Sequence, residues 1–245
     1  MLQELKQKKC YGKTPEKIRA IRPMKDGVIA DFTATELLLK NIIKKVNKRY
    51  NLGRPRAVVG VPSGITEVAV ISLGGIVVSN SLRIAGDELD EDIVSYIKRE
   101  LNLAIGETTA EEIKKEIGCA TPLMTDITKE IRGRDITTGL PTNIMISSSQ
   151  IQEAMKDSIS KIIDTVKNAL EKTPPELASD IMEKGIVLAG GGALIKNIDK
   201  LLSEETGMMV YVAEEPLDCV VRGTGKTLEN IEKLRSILIN ARKRR

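Results

Sequence analysis

The sequence predicts an α/β protein in which helices cover a mixed sheet, and two patterns indicate this class. The first is a meander of three apolar runs at 57–61, 67–73 and 76–84, the last two joined by Gly74-Gly75. A glycine pair between β-branched runs favours a tight hairpin. The second pattern is the alternation of helix-like and strand-like segments between 150 and 240, which is typical of strands joined by helices.

Capping residues that precede apolar residues at helical spacing predict the helices around this meander. The helix that starts at Thr109 is expected to end at Gly118, and the helix that starts at Ser149 is expected to end at Pro174-Pro175. The predicted starts are Thr33-x-x-Glu36, Asp87, Thr109-x-x-Glu112 and Ser149-x-x-Gln152.

The remaining segments predict short strands and a last helix. Strand-like runs lie around 127–131, at 143–146 and at 208–212. The last helix is predicted from apolar residues at helical spacing, which are Leu228, Ile231, Leu234 and Leu238. A meander followed by alternating helices and strands is typical of a ribonuclease H-like sheet.

The stretch from 185 to 202 predicts a strand, a glycine turn and a helix. Residues 186–189 form an unbroken apolar run, as in a strand buried on both faces. Gly190, Gly191 and Gly192 follow, and glycine allows a close approach of the backbone to a ligand. The spacing fits neither a P-loop nor a Rossmann fingerprint. A tight turn without a ligand is the alternative.

The composition excludes several kinds of site. Aromatic residues make up 2% of the chain and there is no His, which argues against base stacking by single-stranded nucleic acid and excludes His-based catalysis and His metal ligands. Cys10, Cys119 and Cys219 are far apart, so free thiols in a reducing compartment are expected. The sequence contains no long apolar run and no signal peptide, so a cytoplasmic protein is expected. Residues 1–50 hold 13 Lys/Arg against five Asp/Glu; solvated helix faces are the expected reason, and contact with an acidic surface or lipid head groups is the alternative.

Several runs together resemble the MreB family of bacterial actin-like proteins over nearly the whole chain. They are 20–32, 105–118, 174–180 and 190–194. The resemblance implies an actin-like ATPase (ribonuclease H-like) fold, chiefly its second domain with a small α+β insertion. It also implies binding of ATP with Mg²⁺, filaments peripheral to the inner membrane, and contact with cell-wall synthesis proteins. No nucleic-acid partner is implied.

The resemblance also places the candidate nucleotide contacts. Gly190, Gly191, Gly192, Ala193 and Leu194 would border the base and ribose. Glu111, Glu112, Ile113 and Lys114 match the nucleotide-contacting helix of the family. Glu111 would accept from ribose hydroxyls and Lys114 would donate to the nucleotide. The alternative is an exposed ion pair between Glu111 and Lys114, which are three residues apart on one helix face.

Two departures from the family pattern predict weak nucleotide binding. The sequence begins downstream of the family's first phosphate loop. In place of its second loop, Asp-Ile-Gly-Gly-Gly-Thr-Thr-Glu-Val, stands Val59-Gly-Val-Pro-Ser-Gly-Ile-Thr-Glu-Val68. Val61 replaces an Asp near Mg²⁺, and Pro62 removes an N–H donor from the phosphate cradle. The helices between these motifs and the Glu that positions water are absent. No catalytic residue and no protein metal ligand is therefore expected.

The sequence thus predicts a remnant of the first domain at 1–55, a second-domain core at 56–85 and 150–245, and an insertion at 86–149. Residues 57–61 are expected to replace the lost first strand of the meander. The leading hypothesis is a cell-shape cytoskeletal protein with impaired nucleotide chemistry. The alternatives are a non-catalytic module that caps or joins full-length filaments, an active phosphotransferase on the same fold, or an incomplete gene product.

Overall fold

The computed structural model describes residues 64–72 and 75–230, together with a short antiparallel pairing of β1 (Met24–Lys25) with β2 (Val28–Ile29). The predicted strand at 57–61 and the helix predicted from Thr33-x-x-Glu36 lie outside the described residues. So does the part of the predicted last helix beyond 230. In the described part of the chain, no helix is long and apolar enough to cross a membrane.

The predicted hairpin is present. Strand β3 (Thr66–Ser72) pairs antiparallel with β4 (Gly75–Leu82), and a register shift falls between Val70 and Ile71. Partly buried and exposed positions alternate along β3, so one face of the hairpin packs on the core. The hydroxyl of Thr66 donates to the carbonyl of Ile84 at 2.7 Å and closes the open end of the hairpin.

The next two helices form as predicted, but they begin earlier. Helix α1 (Gly86–Leu101) has Ala85 as its N-cap, so Asp87 lies in the first turn rather than at the cap. Its charge still favours the positive end of the helix dipole. Helix α2 (Glu107–Ile117) starts after Gly106, whose carbonyl accepts from the N–H groups of Thr109 and Ala110. The Thr109-x-x-Glu112 box is therefore wrong, because Thr109 is already helical.

The predicted strands around 127–131 and 143–146 are confirmed and are longer than predicted. They form β6 (Thr128–Asp135) and β7 (Pro141–Ser147), which pair antiparallel, and β6 also pairs with the unpredicted β5 (Leu103–Ala104). Glycine is required at position 133, where β6 lies against β5. A Cβ there would lie 2.6 Å from the carbonyl oxygen of Ala104.

Helix α3 (Ser148–Glu171) is the longest described helix and organises the core. Its capping box uses Ser147 and Gln150, not Ser149 and Gln152, because Ser147, the last residue of β7, still has extended backbone. The helix packs against α1, α2 and both strands of the β3–β4 hairpin. Its buried stripe comprises Ile151, Met155, Ile159, Ile163, Val166 and Ala169.

The carboxy-terminal half alternates helices and strands. Helix α4 (Pro175–Lys184) was not predicted, because Pro174-Pro175 indicated a helix end, whereas Pro175 opens a new helix where its missing N–H costs nothing. Strand β8 (Ile186–Leu188) pairs in parallel with β9 (Val210–Val212). The elements between and after them are a 3-10 turn (Gly191–Leu194), α5 (Ile198–Thr206) and α6 (Cys219–Glu229).

The prediction that the strand at 186–189 is buried on both faces is wrong. The Val187 side chain is 66% exposed, although Ile186 and Leu188 pack on the core cluster. Its partner in β9, Tyr211, is 47% exposed, so among the described residues this face of the β8–β9 pair is left open. Leu228, which was predicted to lie in the last helix, lies near the end of α6. Helix α6 starts at Cys219, nine residues before Leu228.

Candidate functional site

The glycine turn after β8 is open on one side. Gly190 has φ of 89°, a conformation that glycine adopts readily, and its N–H donates to the carbonyl of Pro216 at 2.8 Å. A Cβ built at Gly190 or Gly192 would meet no atom within 4 Å. The turn continues as a 3-10 helix, and α5 begins only at Ile198. The expected helix N-terminus is therefore one short turn further along than predicted.

The loop at 213–218 borders this turn, and sequence reasoning missed it. The N–H of Ala213 donates to the carbonyl of Leu188 at 2.9 Å. Leu217 Cδ2 lies 3.6 Å from the position of a Cβ on Gly191. Glu215 has φ of 48°, in the left-handed region, and is ion-paired with Arg222. No residue pattern in the sequence indicated that this loop folds against the glycines.

Apolar side chains stand at the opening of the turn. Leu194 is 55% exposed and Leu217 is 62% exposed, whereas Ala193 is buried. Large exposed leucines beside an open backbone provide a surface on which a planar, partly apolar ring can lie. The backbone N–H and C=O groups of the turn can bind its polar edge.

The predicted residues of α2 face in different directions. Ile113 is fully buried in the core and Glu112 is exposed. Glu111 pairs with Lys115, whose Nζ lies 2.8 Å from its Oε1. Lys114 instead pairs with Asp90 of α1 at 2.7 Å. The ion pair considered between Glu111 and Lys114 is therefore replaced by two others, one on the surface and one buried.

The Lys114–Asp90 pair lies between α1 and α2. Lys114 also donates to the carbonyl of Gly86 at 2.5 Å, and the two charged side chains are only 11% and 9% exposed. Burial raises the pKa of Asp90 to about 6, although the ammonium of Lys114 opposes this effect. Glu111 and Asp87 add smaller contributions that also raise the pKa of Asp90. The desolvation of this carboxylate thus outweighs its attraction to Lys114.

Direct hydrogen bonds join the end of α2 to the segment after the glycine turn. Cys119 forms a parallel bridge with Lys196, and the N–H of Ala120 donates to the carbonyl of Lys196 at 2.8 Å. The Lys196 ammonium also donates to the carbonyl of Glu116. The two sets of predicted residues, 111–114 and 190–194, therefore lie on elements that are tied together.

The described residues offer groups of the kind that the adenosine half of a nucleotide needs. The open turn and the leucines suit a base, and Glu111 and Glu112 offer acceptors for ribose hydroxyls. Of the altered phosphate segment, the structure describes Gly64, with φ of 74°, and the residues after it. Within 64–72 and 75–230, no group of three or more Cys, Asp or Glu side chains is arranged to hold a metal ion.

Two solved structures identify the class of protein. MreB5 of Spiroplasma citri, crystallised with ADP, matches with a TM-score of 0.82 and 35% identity, over 92% of this chain and 83% of that one. The MamK double helical filament matches with a TM-score of 0.64 and 18% identity, over 87% and 81%, which supports the fold alone. This chain has an actin-like ATPase fold, as predicted.

Sequence comparison gives the family. The sequence model of the MreB/Mbl protein family matches residues 5–69 and 63–236. The cell shape-determining protein MreB of Escherichia coli K12 is 43% identical over 92% of this chain and 80% of the relative. Mbl of Bacillus subtilis is 38% identical over 93% and 84%. The chain belongs to the MreB/Mbl family.

The matches also bear on the predicted internal junction. The alignment with Mbl runs over 279 positions, whereas the chain has 245 residues, so it includes positions of Mbl without a counterpart here. The two stretches matched by the family model overlap at 63–69. That overlap contains Thr66-Glu67-Val68, where the sequence indicates that two separated parts of the family pattern meet.

Proposed function

We propose that this chain is a cell shape-determining, actin-like cytoskeletal protein whose nucleotide binding and hydrolysis are impaired. The observation that carries the proposal is 43% identity to a cell shape-determining protein over 92% of the chain. In this proposal the chain self-associates or joins filaments of a full-length homologue at the inner face of the membrane. Those filaments guide cell-wall synthesis. The division into 1–55, 56–85 with 150–245, and 86–149 belongs to the same proposal.

The impairment follows from which half of the nucleotide site the chain keeps. The glycine turn and α2 are present, and the related MreB5 was crystallised with ADP. In the altered phosphate segment, Pro62 offers no N–H and Val61 offers no carboxylate for Mg²⁺. Phosphoryl transfer depends on cradling the phosphates, holding the metal and placing the water. Binding through adenosine with poor hydrolysis is therefore expected.

Isothermal titration with adenosine, and with ATP plus Mg²⁺, tests this proposal. We expect both ligands to bind weakly and with similar affinity, because the triphosphate gains little from a damaged cradle. A full-length MreB measured in parallel is the control and should favour ATP. Micromolar ATP affinity together with steady phosphate release would instead support the active phosphotransferase.

The membrane and filament parts of the proposal need their own measurements. Pelleting of the purified chain at rising concentration reports self-association. Flotation with vesicles containing anionic lipid reports membrane contact, which would depend on the basic stretch 1–50. Flotation that is equal with neutral and anionic vesicles would argue against an electrostatic contact.

A second candidate is a non-catalytic module that caps or joins full-length filaments. The observation that favours it is the set of large apolar side chains left exposed on the elements from β8 to α6, since exposed apolar surface often marks a contact surface. They include Val187, Leu194, Leu217 and Val221. Co-sedimentation with full-length MreB filaments, with and without ATP, separates the two candidates. The module binds equally in both conditions, whereas a nucleotide-dependent subunit does not.

A further inference from the structure

The ammonium of Lys114 is held by two contacts with the first five residues of α1. A lysine ammonium has three N–H donors. The ammonium donates to the carbonyl of Gly86 at 2.5 Å and lies 2.7 Å from Oδ1 of Asp90 in an ion pair. The side chain retains 11% exposure, so it is not fully enclosed. These two contacts fix the position of the ammonium, and donor capacity is left for a ligand.

We propose that Asp90 is a positioning residue of the nucleotide site, which acts by orienting the ammonium of Lys114 toward the ligand. This inference rests on the proposed function, because Lys114 lies on the helix assigned to nucleotide contact. A free lysine side chain samples many rotamers. Two fixed acceptors remove that freedom before the ligand arrives, which favours binding by preorganisation.

Other acidic residues nearby are engaged elsewhere. Glu111, one turn before Lys114, pairs with Lys115. For Asp92, two residues after Asp90 on α1, burial raises the pKa of the carboxyl group, and Ser158 and Lys161 of α3 lower it. The charged groups that act on Asp90 are Lys114 and Glu111 from α2 and Asp87 from its own helix. Asp90 is thus the carboxylate that orients Lys114.

The sequence at position 86 supports the same arrangement. A Cβ on Gly86 would lie 3.3 Å from the Lys114 ammonium, closer than most Cβ contacts in proteins. Glycine therefore leaves the space that the ammonium occupies beside the carbonyl of residue 86. Neither Asp90 nor Gly86 was singled out by the sequence, because nothing in their spacing links them to Lys114.

Adenosine titration of a double-mutant cycle tests the proposal. Adenosine is uncharged, so its affinity reports the direction of the donor rather than attraction between charges. We expect Asp90→Asn and Lys114→Met each to weaken adenosine binding by about tenfold, the usual scale for a hydrogen bond to a charged group. The double variant should be no weaker than Lys114→Met, because the two residues act as a unit. Asp92→Asn is the matched control and should bind as the unmodified chain does.

A second measurement does not depend on any ligand. Acetylation of lysines, followed by mass spectrometry, reports how accessible each ammonium is. Asp90→Asn should raise the acetylation rate of Lys114 several-fold and leave that of Lys115 unchanged, since Lys115 already has an exposed side chain. Circular dichroism confirms that each variant is folded before either measurement.

The outcomes separate the two proposals. If Asp90→Asn alters neither adenosine affinity nor Lys114 acetylation, the positioning role is overturned. A similar loss of affinity in Asp92→Asn also overturns it, because the effect would then be general to α1. If the unmodified chain binds no adenosine, the nucleotide part of the proposed function fails. In that case faster acetylation of Lys114 alone would still support its orientation by Asp90.

Discussion

Asp126 anchors the start of α3 through Ser149. The Asp126 carboxylate accepts from the backbone N–H of Ser149 at 3.0 Å and from its hydroxyl at 2.8 Å. It also accepts from the hydroxyl of Ser148, whose oxygen accepts the N–H of Ile127. A carboxylate that binds free N–H groups at a helix N-terminus stabilises the helix. The loop before β6 and the central helix of the core are thereby joined.

Replacing this carboxylate should destabilise the fold. Asp126→Ala removes the acceptor for Ser148 and Ser149, so the first turn of α3 loses its charged partner. We expect a lower midpoint of thermal unfolding, measured by circular dichroism. Asp164→Ala, an exposed residue later on the same helix, is the control and should change the midpoint little. Equal midpoints for the two variants would contradict the anchoring role.

The same carboxylate predicts a dependence of stability on acid. Hydrogen bonds from Ser148 and then Ser149 lower the pKa of Asp126 to about 2, below its usual value of 3.8. A carboxyl group with a lowered pKa in the folded state stabilises the fold above pH 4, and this contribution is lost as the pH falls toward 2. Between pH 5 and 2, the free energy of unfolding measured with urea should therefore decrease less in Asp126→Ala than in the unmodified chain.

Asp90 predicts the opposite dependence near neutral pH. Because burial raises its pKa to about 6, the folded state binds a proton more tightly than the unfolded state does. The contribution of Asp90 to stability therefore rises as the pH falls from 7 toward 4. We expect Asp90→Asn to remove this rise in urea unfolding. If the stability of Asp90→Asn increases just as much as the pH falls, another titrating group is responsible.

Removing the partner of Asp90 should cost stability. In Lys114→Met, the carboxylate of Asp90 stays buried without its ammonium, and loss of one partner of a buried pair typically costs about 3–5 kcal/mol. We expect a large decrease in the free energy of unfolding at pH 7.5. Adding Asp90→Asn should recover much of it, because no charge is then left buried. A double variant as unstable as Lys114→Met would contradict this account.

The sequence predicted elements better than their boundaries and contacts. Hairpin β3–β4 and helix α3 carry strong local periodicity, so their type could be predicted. The start of α3 was placed two residues late because both Ser147 and Ser149 offer a capping hydroxyl followed by Gln. The choice between them depends on where β7 ends, which is a property of the sheet rather than of the local sequence.

The candidate site shows the same limit. The glycine turn could be found from Gly190 to Gly192, because glycines between a strand and a helix are visible in the sequence. The neighbours of the turn, Pro216 and Leu217, are distant in sequence and approach only when β9 pairs with β8. The partner of Lys114 likewise comes from another helix, so local spacing indicated Glu111 instead.

Gly133 provides a test of close packing between strands. A Cβ at this position would lie 2.6 Å from the carbonyl oxygen of Ala104 and 2.7 Å from Cγ of Leu103. Gly133→Ala must therefore separate β6 from β5, and overpacking of this kind typically costs about 1–3 kcal/mol. Gly106→Ala is the matched control, because a Cβ there would meet no atom within 4 Å. Urea unfolding should show a clear loss of stability for Gly133→Ala and little for Gly106→Ala. Equal stability of both variants would mean that β5 does not approach β6 as closely as the structure indicates.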